Sequence, residues 1–308
     1  MLKLFLPLVA SALVACVTGP ELAPDDPRLE DLGLLYDDTV VTESARTVDF
    51  NGQAVVPRSV HIEKSAGKRR LSADVQVMNL VLGISRRFTV RVGVPIVSKN
   101  LDRGGTLTSL SASGLGDVAL LGKYRFFQRT GRGETTEASL LFGLELPTGR
   151  DDARDEGIRL PAPLQPGSGS TDPILGGAFS RVDGRWLLNA DLIAKFNTEA
   201  NDYRFGNVLR ADLGCQWRAH PIRYRSFDQF TLNVLAELNA VWAARDHSGG
   251  SPVANSGGTK VFFTPGVQFI FNRNVLLEAA VQLPIVMELD GDQLEEDFVS
   301  IIGLRARF

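Results

Sequence analysis

The stretch from Phe298 to Phe308 constrains this chain more than any other. Taken in steps of two, one face is Phe298, Ser300, Ile302, Leu304, Ala306 and Phe308. The opposite face is Val299, Ile301, Gly303, Arg305 and Arg307, preceded by Asp297. Alternation at period two marks a strand whose two sides meet two different surroundings. The apolar side closes on a terminal aromatic ring, where the strand of a soluble sandwich would have no use for one. A strand of this kind needs partners, and the rest of the chain has to supply them.

From Leu71 onward, strand-like segments follow one another with little helical pattern between them. They fall at about 71–84, 87–98, 116–128, 136–146, 173–182, 185–196, 207–218, 228–242, 261–271, 274–287 and 297–308. Short turns occur at Ser85-Arg86-Arg87, Val182-Asp183-Gly184 and Asn272-Arg273-Asn274. The turn Thr130 to Gly133 is also short, and Ala219 to Phe227 is moderate. Between these lie longer connectors: Lys99 to Ser113, Pro147 to Asp172, Asn197 to Gly206, Ala243 to Lys260 and Glu288 to Glu296. Regular alternation of short and long connectors is the pattern of a transmembrane β-barrel with short periplasmic turns and long outer loops. The fold expected is therefore all-β: a single transmembrane antiparallel up-and-down barrel. Orientation then requires one more strand before residue 71. Gln53 to Lys64 can serve, with Ala54, Val56, Val60 and Ile62 on one face interrupted by Arg58, and Tyr36 to Phe50 is the competing choice. Twelve strands is the expected count, within a range of ten to fourteen. Phe308 then sits at the periplasmic edge, where a terminal aromatic is expected to act as the assembly signal read by the barrel-assembly machinery.

Composition agrees with this reading because it looks unremarkable. The chain is 44% hydrophobic and 22% charged over 308 residues. Alternation dilutes every lipid-facing residue with a lumen-facing one, so a membrane barrel has bland hydropathy. The net charge of −3 gives no footprint for nucleic acid, and three histidines with two cysteines supply metal and disulfide frameworks poorly. No cofactor is expected. Lys3 and the apolar run Leu4 to Val14 read as an export signal. It leads into Leu13-Val14-Ala15-Cys16, which resembles a bacterial lipobox, so residues 1–16 are expected to end in a lipidated Cys16. A plain secretory signal cut after Ala12 or Ala15 is the alternative. Val17 to Asp38 is rich in Pro, Asp and Glu and has no periodicity. Residues 17–50 are accordingly expected to be a periplasmic linker or tether; for Val17 to Asp38, insertion into the lumen as a plug is the sharper alternative. Residues 51–308 form the barrel.

The two faces of the strands are expected to divide between lipid and lumen. Trp186, Leu188, Ala190, Leu192, Ala194 and Phe196 share one apolar face, as do Val275, Leu277, Ala279, Val281, Leu283, Ile285 and Met287. Trp186, Trp217 and Trp242 lie on such faces near strand ends, where an aromatic girdle belongs. Charges at membrane depth must face water or one another. The candidate lumen-lining set is Asp117, Lys123, Arg125, Glu145, Asp191, Lys195, Arg210, Asp212, Glu237, Glu278 and Arg305, with Asp74, Arg91, Arg218 and Arg307 as further members. Two readings follow: a constricted hydrated pore, which a barrel of intermediate width favours, or a lumen filled by cross-paired charges. Balanced signs argue against a strongly ion-selective filter.

Three short motifs sit at strand boundaries: Gly114-Leu115-Gly116-Asp117, Leu146-Pro147-Thr148-Gly149 and Gly169-Ser170-Thr171-Asp172. In order and placement they resemble the outer-membrane family named for the meta-pathway of phenol degradation. The resemblance covers about Val75 to Phe308, and the lipobox departs from the usual member. It implies a transporter-like barrel and suggests aromatic or apolar solutes. Structural roles come first for the motifs themselves, since glycines permit tight backbone and Pro-Thr-Gly ends a strand.

Catalysis finds little to work with. Asp246-His247-Ser248, with Asn255, is the only tempting hydrolase set, and it lies in a Gly- and Ser-rich connector without the rigid support catalysis needs. The acidic stretch Glu288 to Asp297 lacks ordered calcium-loop spacing. The expectation is a non-enzymatic outer-membrane channel for small solutes, in contact with outer-membrane lipid. A closed structural or surface-interaction barrel is the alternative, and a lipid hydrolase comes third.

Overall fold

The computed structural model describes residues 39–48, 51–105, 108–131, 133–226 and 228–308. The expected export signal with Cys16 and the expected linker up to residue 38 lie outside the described residues. Twelve antiparallel staves close on themselves. They are β1 (Gln53–Ala66), β2 (Arg69–Ser85), β3 (Phe88–Asp102), β4 (Leu110–Leu115 continued by Val118–Gly131), β5 (Glu134–Leu146) and β6 (Asp172–Asp183). They continue as β7 (Trp186–Lys195), β8 (Val208–His220), β9 (Thr231–Ala243), β10 (Gly258–Asn272), β11 (Val275–Leu289) and β12 (Glu295–Arg307). Each stave pairs with its sequence neighbours, and β1 pairs with β12 through Ala54 opposite Arg307 and Val60 opposite Ile301. Closure leaves no free edge, which is how a sheet satisfies its backbone in lipid.

The sequence segments correspond to these staves, and β1 is the strand chosen for orientation. β4 differs from its expected form. Leu110–Leu115 pairs with the upper part of β3 and Val118–Gly131 with the lower part, so one stave is broken at Gly116-Asp117. Much of the expected connector Lys99 to Ser113 is thus strand. Most connectors from β2 onward alternate in length as expected, but β8–β9 at the short-turn end (221–230) is longer than β11–β12 at the other (290–294), and β1 and β2 are joined at the long-loop end by Gly67-Lys68 alone.

Outward-facing positions are apolar and exposed, among them Leu80, Ile96, Leu140, Leu192, Leu238, Leu283 and Ile302. Inward positions are polar and buried, including Asn189, Asn233, Asn239, Thr264 and Gln268. Such a barrel is inside-out relative to a soluble one, as a lipid solvent requires. Trp186 and Trp217 lie on the outside at the short-turn end, with ring centroids 6.1 Å apart. Trp242 is exposed at the long-loop end.

Candidate channel lumen

Residues 39–48, expected within the linker, run inside the barrel. They form no strand, so their buried N–H groups need partners other than a ladder. Wall side chains supply them. The Glu237 carboxylate on β9 accepts from the N–H of Val40 at 2.8 Å, of Val41 at 3.1 and 3.2 Å, and of Thr42 at 2.7 Å. It also accepts from the Thr42 hydroxyl at 2.7 Å. Asp191 on β7 accepts the Glu43 N–H at 2.5 Å, and Ser180 Oγ on β6 accepts that of Ala45 at 2.8 Å. Ser139 on β5 donates to the Ala45 carbonyl. Near the short-turn end, Thr89 Oγ1 accepts the Val48 N–H at 2.9 Å. The segment therefore runs from β7–β9, at Thr39 and Val40, across the lumen to β3, at Val48. Charge-assisted bonds of this kind are roughly twice as strong as neutral ones.

Packing adds a second hold. Val40 is buried among Leu235, Ala280, Val299 and Ile301, with Val41, Val60 and Ile62 against the same cluster. Ala45 packs with Leu141 and Ala178. Gly214 makes room, because a Cβ there would come 2.7 Å from Thr39 Cγ2. The apolar face shared by Ala54, Val56, Val60 and Ile62 therefore looks inward and not to lipid, with Val60 and Ile62 against the cluster around Val40.

The candidate lumen residues face the interior largely as pairs. Glu43 bridges Arg91 at 2.5 Å and Lys123 at 3.4 Å. Arg125 meets Glu137 at 2.5 Å, with Arg46 3.6 Å from the same carboxylate. Glu278 pairs with Arg58 at 2.6 Å, and Glu145 pairs with Lys195, which lies 3.5 Å from Asp172. The Arg210 guanidinium sits 2.7 Å from Asp212 and 3.8 Å from Asp191, an ionic contact without good hydrogen-bond alignment. Arg305 shares the inward parity of Ile301 and Gly303. Asp74 is the exception. It lies on the outer face, exposed, with its carboxylate 2.8 Å from His61 Nδ1. The strand alternation places it with Met78 and Leu80, whose side chains point out.

Asp117 sits where β4 breaks, turned toward a loop and not toward open lumen. Its carboxylate accepts from the N–H of Gly149 at 2.9 Å, the N–H of Ser168 at 2.6 Å and the Ser168 hydroxyl at 2.7 Å. Gly149 and Gly167 touch so closely that a Cβ on either would lie 2.7 Å from the other's backbone. The first two boundary motifs thus meet here, and with Ser168, which bonds Ser170 of the third, they pin the loop 147–171 against the upper wall of β2, β3 and β4. Leu160 and Leu164 of that loop pack with Ala112 and Ala153, against Leu71, Leu101 and Leu110. Lys99 Nζ donates to the Pro163 and Gln165 carbonyls at 3.0 and 2.7 Å.

The remaining loops are tied to one another. Asp246 accepts from Tyr203 Oη at 2.5 Å and from the Gly206 N–H at 2.8 Å, so its carboxylate serves these and not His247. Burial, together with the Asp246 carboxylate, holds the Tyr203 phenol well above its usual range. In the acidic stretch, Asp290 pairs with Arg245 at 2.9 Å and Asp292 with Arg69 at 2.6 Å. Among the described residues no group of three or more His, Cys, Asp or Glu is arranged to hold a metal. Phe308 lies at the seam of first and last staves, its N–H donating to the Gln53 carbonyl at 2.9 Å.

A closed twelve-stave barrel accords with the comparisons. The family model described as "Putative MetA-pathway of phenol degradation" matches residues 38–283. The chain belongs to that family. Its fold is similar to an outer membrane channel from Pseudomonas putida F1, at 15% identity and TM-score 0.64, over 88% of this chain and all of that one. The β domain of the Bordetella autotransporter Brka aligns at 12% identity and TM-score 0.49, over 84% of this chain and 100% of its own. The transport unit of the Escherichia coli autotransporter AIDA-I aligns at 10% identity and TM-score 0.43, over 94% and 100%. No curated protein matches the chain.

Glu43 and Arg46 are the paired lumen charges that sequence reasoning missed. A signal was present: Thr39 to Val48 contains neither Pro nor Gly, unlike the stretch before it.

Proposed function

We propose that this protein is an outer-membrane channel for passive movement of small solutes, with residues 39–48 as the element that sets whether the lumen conducts. The observation that carries this reading is how that segment is held. Side chains of the wall bind its backbone, chiefly Glu237 and Asp191, and no ladder joins it to a stave. Such a segment can be withdrawn without opening the sheet. In this reading the short turns and Phe308 face the periplasm, Phe308 carries the assembly signal, and Cys16 anchors the N-terminus by lipid. The family's description supports aromatic or apolar solutes, and the apolar lumen sector around Leu235, Val299 and Ile301 gives them a surface to meet. The protein acts without catalysis or cofactor.

Recording single channels from the folded, heat-modifiable protein in planar bilayers tests this. Discrete conductance steps that grow when residues 39–48 are removed are expected. Absence of steps in both forms would leave the second reading, a closed structural barrel, which the occupied lumen and the pinned loop 147–171 favour. Palmitate labelling with and without Cys16→Ala tests the anchor.

A further inference from the structure

The two ends of the barrel differ in charge. At the short-turn end, Arg86 and Arg87 join β2 to β3, Arg129 lies near the foot of β4, and Arg223 with Arg225 falls between β8 and β9. All five side chains are exposed, and none forms an ion pair among the described residues. The acids nearby are already engaged: Glu134 and Asp183 lie 3.8 and 3.9 Å from Arg181, and Asp228 lies 3.4 Å from Arg273. A rim of unpaired guanidinium groups is an anion-binding surface with planar, bidentate donors.

One polyanion is attached to the barrel beside that rim. Residues 17–38 carry seven Asp or Glu against Arg28 alone, a net charge of −6. They join the barrel at Thr39, whose hydroxyl accepts from Asn189 Nδ2 at 3.1 Å. Asn189 stands three residues from Trp186, where the β6–β7 turn meets β7. That is roughly 10 Å from the rim at strand rise. Twenty-two residues can span roughly 70 Å when extended, enough to reach any of the five arginines. Tethering also raises the local concentration of the acidic stretch far above that of a free competitor.

We propose that residues 17–38 dock on the arginine rim of the short-turn end, giving the lumen segment a second, electrostatic foothold outside the barrel. The occupant is this chain's own acidic stretch. Anionic lipid headgroups offer the same chemistry, and the experiment separates the two.

The full chain, folded in non-ionic detergent, would carry benzoylphenylalanine at Leu32, which leaves every charge in place. Irradiation at about 0.05 M salt is expected to cross-link position 32 to peptides holding Arg86-Arg87 or Arg223–Arg225, with at least about a fivefold loss at about 0.5 M salt, where screening is strong. The variant R86E/R87E/R223E/R225E, checked for heat-modifiable migration, should lose the cross-links and speed tryptic cleavage after Arg28 by a similar factor. Cross-links that ignore both salt and charge reversal would overturn the proposal. So would rim labelling that appears only in phosphatidylglycerol vesicles and involves lipid alone. Should the fourfold variant fail to fold, R86E/R87E and R223E/R225E separately give the same readout at half strength.

Discussion

Two sectors of the lumen wall treat the same short segment differently. From β9 through β12 to β1 the wall presents Leu235, Ala280, Val299, Ile301, Val60 and Ile62, and these receive Val40 and Val41. From β3 to β8 it presents Arg91, Lys123, Glu137 and Asp191, and these receive Glu43 and Arg46 through ion pairs and a backbone bond. Only Glu237 works in both registers, rising from the apolar sector to bind three backbone amides. The contrast shows that the wall is complementary to the order of residues in the segment, apolar first and charged second. A lumen lined only for water would have no reason to divide in this way.

Four substitutions grade that complementarity, in falling order of effect. Val40→Asp places a carboxylate in the apolar sector beside Glu237; an unpaired buried charge costs several kcal/mol, so the segment should leave and conductance in planar bilayers should approach that of the 39–48 deletion. Glu237→Gln keeps shape but weakens four charge-assisted bonds, and a loss of about 2–3 kcal/mol in docking should appear as a higher open probability. Gly214→Val pushes a side chain into Thr39, and overpacking of about 1–3 kcal/mol should raise open probability while leaving thermal stability of the barrel nearly unchanged. Glu43→Gln removes the bridge between Arg91 and Lys123; partly hydrated, it is worth about 1 kcal/mol, and its effect should shrink as salt rises. If Glu43→Gln exceeded Val40→Asp, the apolar sector would lose its standing as the principal seat.

The staves were legible because period-two alternation over ten or more residues leaves little choice of element. β7, β9 and β11 lie where their apolar faces put them, facing outward. β1 was harder. Its apolar residues face inward, because their partner is Val40 and not lipid, and alternation alone cannot say which side is which. Leu110–Leu115 was hidden by the Gly-rich break that follows it, which reads as a connector until β3 is seen to pair with both parts. Most of the inward charges were legible by parity, whereas their partners were not: Glu43 and Arg46 come from a segment with no period to read. Asp74 failed on the same parity that succeeded elsewhere, its strand rising beyond the apolar band.

The absence of any ladder bond to residues 39–48 has a consequence for how the protein is built. A strand pulled from a sheet bares two rows of unpaired N–H and C=O groups, and such edges recruit other chains. Here the sheet is complete with the segment inside or outside. What is uncovered on its departure is a set of carboxylates, hydroxyls and a few aliphatic side chains, all of which water or a passing solute can cover. The barrel can therefore close on itself before the segment arrives, and the segment's arrival becomes a ligand-binding event that happens to be intramolecular.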